Sequence, residues 1–212
     1  MSFFEPPPPA PQPPAPGPQP QPPAWQAPPE SVLGVPVAQS RILARTESVT
    51  IALADVVAYP TGCTFELRLA GRRTNQTEDE WWDLNAVFFE HRRPISRRGL
   101  ASGALPVELL RVGVEFADGR KATNVGGRPP WDLTTPPEPP VLVEAGGGGG
   151  SGGDDRIVSS REFWLWPLPP AERFALVIEW PFAGVPLTRT ELDGAAIAAA
   201  AEHAEPFWPE PT

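Results

Sequence analysis

The chain has 212 residues and a formal net charge of -9, which argues against general affinity for nucleic acid or anionic lipid. Two histidines and one cysteine cannot assemble the usual nitrogen and sulfur ligand sets for a metal, and Cys63 alone cannot form an internal disulfide. Lys121 is the single lysine among 17 basic residues, which together with abundant alanine, glycine and proline looks like the codon bias of a high-GC genome and tempers Pro and Ala as signals.

Met1-Ser2-Phe3-Phe4-Glu5 runs directly into prolines, without the basic region and apolar run of an export signal. Nothing approaches the ~18 consecutive apolar residues of a membrane span, so the expectation is a cytoplasmic, non-membrane protein. Residues 1–30 read as a disordered, proline-rich tail of polyproline II character. Such a tail buries little surface, and its removal is expected to leave stability nearly unchanged. Its P-x-x-P matches, such as Pro11–Pro14 and Pro13–Pro16, lack a flanking basic residue before Arg41, so recognition by a polyproline reader is only weakly signalled.

Residues 31–212 read as a single body of short strands. One is expected near 37–45. A second carries Val49, Ile51, Leu53, Val57 and Tyr59, with Asp55 interrupting the pattern as a bulge would. In 63–69, Cys63, Phe65, Leu67 and Leu69 alternate with Thr64, Glu66 and Arg68; in 109–117, Leu110, Val112, Val114 and Phe116 alternate with more polar neighbours. Asp118-Gly119 signals a two-residue hairpin turn into Arg120–Val125. Further strands are expected near 140–145, 159–166 and 186–192. In 173–180, Phe174, Leu176, Ile178 and Trp180 take one face, and Asp193 caps a final helix, Gly194–His203. The fold class is all-β: an antiparallel β-sandwich of about eight strands with one short C-terminal helix. Flexible insertions are expected near 71–102 and 126–153, the second containing a linker-like glycine run from Gly146 to Gly153.

Chemistry is sparse. Gly149-Gly150-Ser151-Gly152-Gly153 matches the G-x-S-x-G elbow in letters, with Asp193 and His203 following in hydrolase order, but a serine in a glycine run lacks the rigid strand-turn-helix that the motif needs. Glu78, Asp79, Glu80 and Asp83 have no calcium-loop spacing and read as a solvated acidic loop. Lys121 sits in no phosphate-binding loop. Cys63, among inward residues, reads as an inert packing thiol. No acid, base and nucleophile set emerges, so the chain is expected to be no enzyme and to need no cofactor. The candidate partner contacts are the paired Trp81 and Trp82 and the basic run containing Arg92, Arg93, Arg97 and Arg98, which the acidic stretch before it could neutralise. Trp166-Pro167, Trp180-Pro181 and Trp208-Pro209 read as core tryptophans followed by strand-ending prolines, with an aromatic groove as the other reading. The strand holding Phe163, Trp164, Leu165 and Trp166 is expected to be buried on both faces.

The Ser2-Phe3-Phe4-Glu5 start, Ala58-Tyr59-Pro60-Thr61-Gly62, the run from Phe116 to Asn124, the glycine-rich stretch, and Trp164-Leu165-Trp166-Pro167-Leu168-Pro169-Pro170 with Glu179-Trp180-Pro181 together carry a resemblance. The chain resembles a group of small actinobacterial proteins with a proline-rich N terminus and a Trp-Pro-rich body. The resemblance implies no activity and carries over no site residue. Two functions fit the sequence: a protein-binding or scaffolding module whose tail extends its reach, or a carbohydrate- or small-ligand-binding sandwich using exposed tryptophans.

Overall fold

The apolar alternation along 63–69, 109–117 and 173–180 becomes three strands that each put their larger side chains into one core. The computed structural model describes residues 22–89, 105–126 and 135–208. A short ribbon pairs β1 (Val32–Leu33) with the last strand, β12 (Glu205–Pro206). The larger sheet contains β2 (Val35–Pro36), β3 (Arg41–Arg45), β4 (Val49–Tyr59), β5 (Gly62–Arg72), β8 (Val141–Gly152) and β9 (Arg156–Trp166). Its order is β2-β4-β5-β9-β8, with β3 on the other half of β4. The smaller sheet takes the order β11-β10-β6-β7 from β6 (Arg111–Glu115), β7 (Lys121–Thr123), β10 (Arg173–Trp180) and β11 (Val185–Asp193). Every pairing is antiparallel. One hydrophobic cluster joins the inner faces, and Phe65 of β5 meets Phe174 of β10 with ring centroids 6.4 Å apart.

The expected bulge sits where Asp55 interrupts β4: pairing with β5 slips between Leu53 and Asp55, and Val56 N–H donates to Asp55 Oδ1 at 2.9 Å. The extra residue reverses the pleat, so Val56 and Ala58 turn inward, not the expected Val57 and Tyr59. The turn at Asp118-Gly119 also needs a correction. Phe116 N–H donates to Arg120 and Gly119 N–H to Phe116, enclosing three residues with Gly119 at φ 84°. That is a three-residue hairpin with the glycine in the left-handed position, not a two-residue turn.

Both expected flexible insertions contain regular structure. Within 71–102 lies helix α1 (Glu78–Phe89). Thr77 N–H donates to Glu80 Oε2 at 2.8 Å and Glu80 N–H to Thr77 Oγ1 at 3.3 Å, a reciprocal capping box. The acidic stretch is therefore a helical first turn, where carboxylates suit the positive end of the dipole. Within 126–153, the glycine run is strand β8, paired to β9 from Val141 to Gly152 with two register slips. Its bareness admits α1: a Cβ on Gly150 would come within 2.6 Å of the Phe89 ring, and one on Gly152 within 2.4 Å of Asn85 Oδ1. The C-terminal helix, α2 (Gly194–Ala201), starts as expected from Asp193, whose carboxylate accepts the Ala196 N–H at 3.1 Å. Buried Gln39 brackets the same residue, donating to its carbonyl and accepting its N–H.

Candidate functional site

The sequence-derived candidates separate in space. Trp81 faces the core, fully buried, and its indole N–H donates to Gly153 at 2.9 Å, so it is no partner contact. Consecutive residues on a helix point about 100° apart, and here that rotation carries Trp82 past the edge of the buried face that Trp81 shares with Leu84, Asn85, Val87 and Phe88. Trp82 is half exposed on α1. Arg92, Arg93, Arg97 and Arg98 lie outside the described residues. Ser151 stands in β8 opposite Val158, without the turn into a helix that a nucleophile elbow requires, while Asp193 is engaged as the α2 cap. Cys63 is fully buried, and burial pushes its thiol pKa far up, in keeping with a packing role. No cluster of three or more His, Cys, Asp or Glu residues that could hold a metal occurs among the described residues. None of the described helices is long and apolar enough to cross a membrane.

Shallow concavities mark the described surface, two of them beside charged residues. One, of about 250 Å³, lies on the outer face of the smaller sheet, where Gly113 leaves a dimple beside Val177, Leu187 and Thr123. Its charges pair among themselves: Arg111 with Glu179, and Glu115 with both Lys121 at 3.0 Å and Arg189 at 3.2 Å. Hydrogen bonds from Lys121 first and Arg189 second hold the Glu115 carboxyl below its ordinary pKa. The other, of about 350 Å³, lies at the β3–β4 turn and the end of β5. Both are open hollows at the lower end of ligand-pocket volumes, and neither gathers a reactive set.

The outer face of the larger sheet is more distinctive. Across β4, β5 and β9, Asp55 stands opposite Glu66 and Glu66 opposite Glu162. Burial first and the Glu66 charge second raise the Glu162 pKa; burial, then Glu162 and Asp55, raise that of Tyr59. Beside this acidic row lies an aromatic shelf. Trp164 is fully buried on this outward side, packed with Val141 and Val143 and flanked by Tyr59, Ala145 and Trp166. The expectation that β9 is buried on both faces is met, since Phe163 and Leu165 lie in the main core.

Residues expected to belong to the tail cover this shelf. The Trp164 indole N–H donates to the Ala24 carbonyl at 2.8 Å, and Trp25 meets the Trp166 ring edge-on at 6.3 Å. Contacts with the body therefore begin before residue 30, at Ala24 and Trp25, although no residue from 22 to 30 is fully buried. The physical reason is that a buried indole N–H needs an acceptor, and this carbonyl supplies it. Composition alone hid the contact, although Trp25 breaking the proline run was its signal.

Buried Arg161 was not foreseen either. Only 3% exposed on the inner side of β9, it donates to the Val87 carbonyl in the last turn of α1, putting a cation at the negative end of the helix dipole. Burial lowers its pKa, and Glu144 opposes that shift. The role is structural, holding the helix to the sheet. Searches for resemblance found no protein family, no curated protein and no solved structure that matches the chain.

Proposed function

We propose that this chain is a non-catalytic protein-binding or scaffolding module acting in the cytoplasm. The observation that carries this reading is exposed apolar surface on the β1–β12 ribbon. Leu33 stands opposite Glu205, which places it on the same ribbon face as Phe207, and the Phe207 and Trp208 rings meet edge-on at 6.0 Å. Trp208 is 75% exposed. A grouping of large apolar side chains in water is costly to leave uncovered, and aromatic residues are enriched at protein interfaces. The basic residues Arg111, Lys121 and Arg189 on the described outer face of the smaller sheet are each paired with a carboxylate, so that face is no basic stripe for a nucleic acid.

The test is affinity capture from the native cell with the full chain and a Phe207→Ser/Trp208→Ser variant. A partner retained by the parent chain and lost by the variant, at unchanged melting temperature, is the expected result. Equal recovery by both would remove the ribbon as the contact. The carbohydrate-binding alternative keeps Trp82 alone on α1, since Trp81 is taken by the core. Sugar-dependent quenching of tryptophan fluorescence that disappears in Trp82→Ala would reinstate it.

A further inference from the structure

The cover on the aromatic shelf is a peptide, and its chemistry says what else the shelf accepts. A Cβ on Gly62 would come within 2.6 Å of the Trp164 ring, so the indole lies across a bare stretch of β5. Its N–H reaches the Ala24 carbonyl, directly after two prolines that carry no N–H of their own. Gln26 N–H closes a turn onto the Pro23 carbonyl at 2.9 Å, and that turn carries Trp25 to Trp166. The occupant is thus read by one carbonyl and one ring. The triplet Pro-Pro-Ala recurs upstream at Pro8-Pro9-Ala10 and Pro13-Pro14-Ala15, but only Pro22-Pro23-Ala24 is followed by tryptophan.

We propose that the shelf of Tyr59, Trp164 and Trp166 is a binding site for proline-rich peptides of the Pro-Pro-Ala-Trp type, occupied in cis by Pro22–Gln26, and that the same segment of a second copy of this chain is its ligand in trans. The inference rests on the protein-binding reading and assigns it a second site, away from the β1–β12 ribbon. The second copy is the occupant because its segment brings the same carbonyl and the same ring, and because neither the Trp164–Ala24 hydrogen bond nor the Trp25–Trp166 contact involves a charged group. Such an exchange of identical elements is a low-cost route to dimers. The tether gives the resident segment a high local concentration, so the shelf opens to a second chain only when the resident is weakened.

The experiment uses two full-length variants. Trp25→Ala loosens the resident and frees the shelf; Trp164→Phe keeps an aromatic ring, though a smaller one, removes the donor and frees the segment. Each should sediment as a monomer, and their mixture should form a heterodimer. A fluorescent peptide of residues 18–29 should bind Trp25→Ala about tenfold more tightly than the parent chain, and the same peptide with alanine at position 25 should not bind. Thermal melts establish that both variants are folded; should Trp164→Phe fail to fold, Trp166→Leu takes its place. Peptide binding that is equal in Trp25→Ala and parent chain, or indifferent to the peptide's tryptophan, would overturn the site. Peptide binding without a heterodimer would overturn the second copy as its source. Neither outcome touches partner capture at Phe207 and Trp208, which tests the broader reading separately.

Discussion

Strands β9 and β10 both carry large aromatic and aliphatic side chains, yet they end in different surroundings. On β10, Phe174, Leu176, Ile178 and Trp180 are buried while Ala175, Val177 and Glu179 stay partly open. On β9, Phe163, Trp164 and Leu165 are all buried in succession. The difference already shows in the strands' own patterns, since Phe163, Trp164, Leu165 and Trp166 follow one another while Phe174, Leu176, Ile178 and Trp180 alternate with smaller or charged residues. β10 backs onto a charged face that meets water, whereas β9 backs onto a shelf covered by Ala24 and Trp25. Alternation locates a core only where the second face is left to solvent.

The comparison can be broken most directly at Trp164. Trp164→Ala should cost about 4 kcal/mol, as should Phe163→Ala on the opposite face, because each removes a large fully buried ring. Denaturant midpoints at unchanged slope measure both. A mild Trp164→Ala would mean that the shelf is not a second core. On β10 the two faces should differ: about 3 kcal/mol for Ile178→Ala against about 1 kcal/mol for Val177→Ala. Equal losses at these two sites would erase the contrast between the strands.

Gly150→Ala probes why β8 can lie under a helix. The added methyl meets the Phe89 ring and the Val158 carbonyl, each at 2.6 Å, so a loss of about 2 kcal/mol is expected. A melting temperature that stays put would show that α1 shifts freely on the strand. The smallest effect concerns Glu162. Burial and Glu66 raise its pKa in the folded chain, so its protonated form is the one that folding favours. The stability it adds is present in acid and is lost as pH rises from the ordinary carboxylate range through the raised value. Glu162→Gln should therefore stabilise the chain at neutral pH by less than about 1 kcal/mol, a figure discounted for solvent at this half-buried site. The gain should vanish toward pH ~4, which melting curves at a series of pH values would reveal.

These contrasts also explain what could be read from the sequence. The β5, β6 and β10 faces were legible because charged residues such as Glu66, Arg68, Glu115, Arg173 and Glu179 mark the opposite side of each strand, and Asp193 because a cap acts within one turn of chain. Helix α1 carried its signal openly in Thr77-x-x-Glu80, but the adjacent Trp81 and Trp82 obscured the apolar stripe. The β8 strand was not legible from its own residues. Glycine has low strand propensity, and here pairing with β9 and the approach of α1 impose the strand from outside. The shelf was half legible: Trp164 was expected inside, but nothing in a single proline-rich stretch says which carbonyl an indole 140 residues away will use.

Among the described residues, strand β8 also ends its sheet, with β9 as its only neighbour in the pairing order. A flat terminal strand of 12 residues would offer another chain a long row of unpaired backbone groups to add onto. The slips at Glu144/Gly146 and Gly147/Gly150 break that row into pieces that no straight incoming strand can match in register. The glycines, lacking the branched side chains that reward such addition, make each piece a poor template. The bare strand that admits a helix on one side thus keeps the sheet from growing at its edge.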